Sequence, residues 1–143
     1  MIQKIRILTV WLCLLVVWWC SFSETQSSVC TKNNCVQVEL ADNNEKRMQW
    51  LMFREQLSDK KGMLFIFPQE GVHSFWMKNT LMPLDLLWID KERKIIDIQT
   101  AQPCQEDPCP VSTPSGSALY VLEINANTSE KLGFKKWTIV EIK

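Results

Sequence analysis

The chain has 143 residues, 46% of them hydrophobic and 22% charged. That length holds one domain, and that composition is globular rather than disordered. The formal net charge is zero, so no basic excess is present to draw nucleic acid or an anionic membrane surface.

In chain order, Met1 to Arg6 carries Lys4 and Arg6 and no acid. Ile7 to Cys20 is then almost entirely apolar, with Thr9 the only clear polar interruption, and Ser21-Phe22-Ser23 follows. This is the order of a secretory signal over residues 1–23, with cleavage expected after Ser23. An uncleaved anchor is the second reading, but a spanning helix needs roughly 20 apolar residues, more than this run supplies. A lipid-modified Cys20 is the third, and Trp18 and Trp19 are bulky where such sites need small residues. The chain is therefore expected to be exported, periplasmic or secreted, and to meet a membrane only through an uncleaved signal. Without Lys4 and Arg6, 14 basic residues face 16 acidic ones, a net of −2.

Residues 24–35 are polar, rich in Ser, Thr and Asn, and carry two cysteines. They read as a tether to a single β domain over 36–143. Four cysteines remain past the signal: Cys30, Cys35, Cys104 and Cys109, in two pairs with four residues between partners. In an oxidising compartment an even set reads as disulfides, with three connectivities open and two local bridges the simplest. The spacing also permits a four-cysteine zinc site, which export argues against. A redox-active pair would show two intervening residues instead.

Val36 to Leu40 alternates, with Val36, Val38 and Leu40 on one face, as a half-buried strand does. Asp42-Asn43-Asn44 can cap a helix from about Glu45 to Phe53, with Met48, Leu51 and Met52 on its core side. Met63 to Phe67 is a short apolar run closed by Pro68, and Gln69-Glu70-Gly71 reads as a turn. His73 to Met77 and Leu84 to Ile89 are the next strands. Asp90 to Arg93 then turns into a strand over Ile95 to Ile98. Gln102 to Gly116 holds four prolines and two cysteines and reads as a long exposed loop. Leu119 to Ile124 is a strand, Asn127 to Leu132 a short helix ending near Gly133, and Trp137 to Ile142 a last strand. About seven short strands with one or two short helices predict a mostly β fold, a compact sandwich or barrel. The helices that a parallel α/β sheet would need between successive strands are missing.

Several blocks carry a resemblance. They are Leu51-Met52-Phe53-Arg54, Gly62 to Phe67, Phe75-Trp76-Met77-Lys78-Asn79-Thr80, Pro83-Leu84-Asp85, Pro103-Cys104, Cys109, and Tyr120 to Asn125. Together they make the chain, from Val36 to Ile142, resemble the exported proteins grouped as domain of unknown function 192. The resemblance implies a compact jelly-roll-like β fold and an exported location, and it supplies no reaction. The chain departs from that pattern at three places. Trp50 and Asn127 replace usual glycines, and Lys136-Trp137 replaces a usual Gly-Asp.

Asp85 shares a strand face with Leu87 and Ile89, and Glu123 shares one with Leu119 and Val121. A carboxylate on an apolar face must be paired, ligated or near a strand end, because burying it bare is costly. Arg54 and Lys78 are the nearest cations by motif, so internal ion pairs are one reading. The other is a small polar pocket of Arg54, Lys78, Asn79, Asp85 and Glu123. There the cations would meet a ligand, Asn79 would orient it, and the carboxylates would hold the cations. Trp76 can stack on a sugar or another planar ligand, although core packing is the commoner use of tryptophan in β proteins.

His73 is the only histidine, and no Gly-x-Ser-x-Gly nucleophile motif accompanies it. Met48, Met52, Met63, Met77 and Met82 with His73 raise Cu(I) binding, but no dense methionine motif is present. Asn127-Thr128-Ser129 matches a glycosylation acceptor, a pattern common by chance. The expected function is an exported, monomeric, non-catalytic domain binding a small polar or anionic ligand or an envelope component, with no cofactor. The alternatives are an envelope enzyme using Asp85 and Glu123 as paired carboxylates, a copper-binding protein, and an assembly factor meeting another protein through the proline-rich loop.

Overall fold

The computed structural model describes residues 26–49 and 51–143. The expected signal and Trp50 lie outside the described residues. No helix among the described residues is long and apolar enough to cross a membrane.

The strands are β1 (Ser28–Cys30), β2 (Cys35–Ala41), β3 (Lys61–Gly71), β4 (Phe75–Trp76), β5 (Leu84–Ile89), β6 (Ile95–Ala101), β7 (Val111–Ser112), β8 (Ala118–Asn125) and β9 (Glu141–Ile142). Two short helices, α1 (Asn44–Gln49) and α2 (Thr128–Lys131), complete the set. Seven strands form one curled sheet in the order β6-β5-β8-β3-β2-β1-β9, and β4 pairs with β7 in a small second sheet. The fold is mostly β, a compact half-barrel, and the expected count of about seven strands holds for the main sheet.

Both faces of that sheet are buried. Met63, Phe65, Leu84, Leu86, Trp88 and Val121 point to one side. There Leu51, Leu57, Phe75, Met77 and Met82 from the connecting segments close a first core. Val36, Val38, Leu64, Leu87, Leu122 and Ile124 point to the other side, closed by Leu132, Phe134 and Val140. Phe75 packs edge-on against Phe65 and Trp88, with centroids at 5.0 and 6.2 Å. Gly62 lets β3 approach β8, since a Cβ there would lie 2.6 Å from the Glu123 carbonyl oxygen.

Several expectations are corrected. Residues 28–35 are not a tether. They form the first arm and the turn of a β hairpin with β2, in which Val29 is fully buried and Cys30–Cys35 closes the turn. The second bridge, Cys104–Cys109, pins the long loop. With all four sulfurs in disulfides, the zinc reading is overturned. One crossover does exist, because β2 and β3 pair in parallel and α1 lies in their connection.

The predicted cap is present, with Asn43 Oδ1 accepting from the Lys46 amide at 2.9 Å. However, α1 ends at Gln49, and Phe53 turns the chain away with φ 61°. Met48 is therefore exposed rather than on a core face. Gln69 to Gly71 belongs to the irregular end of β3, not to a turn. The last strand shrinks to Glu141–Ile142, while the residues before it, from Trp137 at φ 73° to Val140, bond to the start of β6 through an isolated Lys94–Ile139 bridge. Asn127 takes φ 61°, a conformation asparagine tolerates better than most residues.

Candidate functional site

Asp85 is buried on β5 and is held by neutral donors. Its Oδ1 accepts from Thr100 Oγ1 at 2.7 Å, and its Oδ2 accepts from the Ser129 amide at 3.0 Å and Ser129 Oγ at 2.7 Å. The carboxylate thereby ties β6 and the first turn of α2 to β5. No cation takes part, so the ion-pair role expected of Asp85 is corrected. Thr100 and Ser129 were missed from sequence, where one isolated hydroxyl looks like any other.

Glu123 is equally buried but unsupported. Its Oε2 has no hydrogen-bond partner among the described residues, and burial pushes its carboxyl up to about 8. It therefore holds its proton at neutral pH, and it forms no ion pair. Cross-strand register fixes where it points. Glu123 lies opposite Met63 and Leu86, both in the first core, whereas Asp85 lies opposite Ile124, in the second. The two carboxylates are on opposite faces of one sheet and cannot share a substrate.

The cations are elsewhere. Arg54 makes a two-pronged ion pair with Glu39, at 2.6 and 2.7 Å. That bond holds the Glu39 carboxyl below its usual range and raises Arg54. Glu39, Met63 and Glu123 are consecutive partners across β2, β3 and β8, so Glu39 and Glu123 stand two strand spacings apart, roughly 10 Å. Lys78 pairs with Asp107 at 2.6 Å. The expected pocket of Arg54, Lys78, Asn79, Asp85 and Glu123 is thus not assembled as one cavity.

The structure does bring Trp76, Lys78 and Asn79 together with the turn that carries Arg54. The Phe53 amide donates to the Asn79 carbonyl at 2.8 Å, and the Asn79 amide donates to the Cys104 carbonyl at 3.1 Å. Asn79 and Phe53 both occupy the left-handed region, at φ 57° and 61°. Three segments, the 51–54 turn, the Trp76 to Thr80 block and the 104–109 loop, are knitted into one rim. Trp76 is 45% exposed on β4, opposite the exposed Val111, so it is not a core residue. The Asn79 side-chain amide has no partner among the described residues.

His73 serves packing. Its ring stacks on Phe67 at 3.6 Å between centroids, and its Nε2 donates to the Gln69 carbonyl. Met63, Met77 and Met82 lie in the first core, packed among leucine and aromatic side chains.

Comparison with known proteins gives relatives of uncharacterised role. A UPF0127 protein of Thermococcus gammatolerans is 33% identical over 91 residues, covering 60% of this chain and 53% of that one. A UPF0127 protein of Thermococcus kodakarensis is 29% identical over 92 residues, covering 61% and 52%. The chain spans about half the length of these curated relatives. Among solved structures, a protein of unknown function from Novosphingobium aromaticivorans superposes with a TM-score of 0.72. It is 32% identical and covers 81% of this chain and 83% of its own. A Sinorhizobium meliloti protein, described as a proposed transcription regulator, superposes with a TM-score of 0.71 at 32% identity, covering 82% and 92%. The family model DUF192, "Uncharacterized ACR, COG1430", matches residues 27–142, and the chain belongs to that family.

Proposed function

We propose that this domain is an exported, non-catalytic binding module that takes a small polar ligand or an envelope component at the Trp76–Asn79 rim. One observation carries the reading. Two non-glycine residues in left-handed backbone, Phe53 and Asn79, are bonded to each other at a surface where an exposed tryptophan and an unpartnered amide project. Backbone held in sparsely populated regions persists where the surroundings over-determine it, and it clusters at binding sites. In this reading Trp76 stacks on the ligand and Asn79 orients it. Lys78 exchanges the exposed Asp107 for an anionic group of the ligand. Arg54 fixes the turn through Glu39, while Asp85 and Glu123 act only through the fold.

The paired-carboxylate enzyme is not favoured, because Asp85 and Glu123 face opposite cores. Nor does the charge support a nucleic-acid partner, since Lys46, Arg54, Lys78 and Lys136 each lie against a carboxylate.

The test is thermal unfolding of the full chain against a panel of sugars, nucleotides, carboxylates and metal ions. A ligand at about 100 times its dissociation constant adds about 2.7 kcal/mol, a shift of several degrees for a domain of this size. The expected shift disappears in Asn79→Ala and Trp76→Ala. A panel without any shift, or a shift that both variants keep, rules the rim out.

A further inference from the structure

On other loops of the molecule, a cleft of about 410 Å³ opens between the Asp90–Glu92 turn, residues 115–117 and Trp137. We infer that this cleft is a carbohydrate subsite that takes one pyranose ring of a neutral glycan, with Trp137 as its stacking platform. The inference goes beyond the rim and stands or falls without it.

Trp137 is 65% exposed, so its ring is not a core element. Its backbone is nonetheless held firmly. The Trp137 amide donates to the Ile95 carbonyl at 2.7 Å, the Ile95 amide donates to the Thr138 carbonyl at 2.9 Å, and the Thr138 amide donates to the Lys135 carbonyl at 3.0 Å. These bonds fix a large aromatic residue at φ 73°, a conformation that bulky side chains rarely adopt. The backbone that carries the exposed ring is thus fixed at its place beside the cleft.

The cleft's charges select the ligand. Glu70, Asp90 and Glu92 line it, but Lys91 Nζ lies 3.9 Å from both Glu70 Oε2 and Glu92 Oε1. Asp90 Oδ1 already accepts the Lys94 amide at 2.8 Å. Lys136 Nζ sits 5.3 Å from the Trp137 ring centroid, which fills one ring face with a cation. A cationic ligand would therefore compete with Lys91 for Glu70 and Glu92 and with Lys136 for the ring. What the cleft offers is the exposed indole of Trp137, together with Asp90 Oδ2, Glu92 Oε2 and the Ser117 hydroxyl, which have no partner among the described residues. An apolar plate beside hydroxyl-binding acceptors matches a pyranose, whose C–H face stacks on an aromatic ring while its rim hydroxyls donate to carboxylates. The volume lies in the range of small-ligand sites.

The experiment is calorimetric titration of the full chain with two probes, the β-1,4-linked tetraoses of glucose and of N-acetylglucosamine. At least one is expected to bind saturably. Trp137→Gly should weaken that binding by at least about tenfold, because one aromatic platform carries the stack. Trp76→Ala should leave it within about twofold, since distant sites act independently. Glycine accepts the left-handed backbone, so Trp137→Gly removes the ring without unfolding the loop, and an undiminished melting temperature checks this. No binding of either tetraose overturns the inference, as does equal binding by Trp137→Gly and the native chain. Binding lost in Trp76→Ala but kept in Trp137→Gly also overturns it, and moves the sugar to the rim.

Discussion

Asp85 and Glu123 sit on neighbouring strands, are buried to the same degree, and face opposite cores. Asp85 is given three donors in place of water, while Glu123 is given none for Oε2. The difference teaches that burial alone does not say what a carboxylate is for. In one core it is a structural clamp joining three elements. In the other it is a protonated group that the fold tolerates at a cost.

The largest effect should come from breaking the clamp. Asp85→Ala leaves the Ser129 amide, Ser129 Oγ and Thr100 Oγ1 without their acceptor and frees α2 from the sheet. Losses of this kind run to about 3–5 kcal/mol. Urea unfolding of the full chain measures it. Asp85→Asn keeps the size but turns an NH₂ donor toward groups that also donate, and should cost roughly half as much. If Asp85→Ala costs under about 1 kcal/mol, the clamp is not what holds α2.

Removing the orphan should act in the opposite direction. The Glu123 carboxyl is raised from 4.5 to about 8 by burial. Below about 4.5 the folded and unfolded chains both hold this proton, so its effect on stability is constant there. Between about 4.5 and 8 the unfolded chain releases the proton while the folded chain keeps it, so stability falls as pH rises. Above about 8 both release it and the loss is complete. That window corresponds to an upper bound of about 5 kcal/mol. Glu123→Leu should abolish the decline and be more stable than the native chain at pH 8 by about 2 kcal/mol. Denaturant midpoints at pH 5 and pH 8 decide this. A native chain whose stability does not fall between them would mean that Glu123 has found a partner.

The two disulfides extend the contrast from charge to covalent ties. Each closes a loop of the same length, for which chain entropy gives about 2 kcal/mol. Replacing Cys30 and Cys35 by Ala opens a hairpin in the main sheet and should lower stability by about that amount. The Cys104/Cys109 pair lies in a surface loop bonded to the Asn79 rim, so its removal should also weaken any ligand held there. Equilibrium unfolding of each double variant, with the rim ligand titrated alongside, separates the two roles.

Much of this was legible in the sequence because alternation reports burial strand by strand. The expected bounds of β5 match the structure, and β2 and β8 were found to within a residue or two. The same alternation placed Asp85 and Glu123 on apolar faces. It could not say that the faces differ, because that depends on register between strands, Leu86 opposite Glu123 and Asp85 opposite Ile124. With both faces of the sheet buried, no polar face marks the distinction. Charge matching by motif failed for a related reason. Arg54 and Lys78 found Glu39 on β2 and Asp107 in the disulfide loop, and no local pattern in the sequence pairs either cation with its carboxylate. Residues 28–35 looked like a linker because only Val29 and Cys30 of β1 are buried, too short a run for a period to appear.

The smallest effect belongs to Glu39, in the same cross-strand row as Glu123 but at the solvent edge. Its carboxyl is lowered, chiefly by the Arg54 hydrogen bond, so the sign is the reverse of that for Glu123. The stability it lends is present above its unfolded value of 4.5 and is lost as pH falls through the lower folded value. More than half of the Glu39 side chain meets solvent, so screening cuts the pair to about 0.5 kcal/mol. Arg54→Ala should therefore barely change unfolding at pH 7, yet return Glu39 toward an ordinary carboxylate titration, measurable by NMR. A loss above about 2 kcal/mol would show that Arg54 supports the Phe53–Asn79 rim by more than its ion pair. The strain at those two residues would then depend on the salt bridge, and the row from Glu39 to Glu123 would couple the surface to the core.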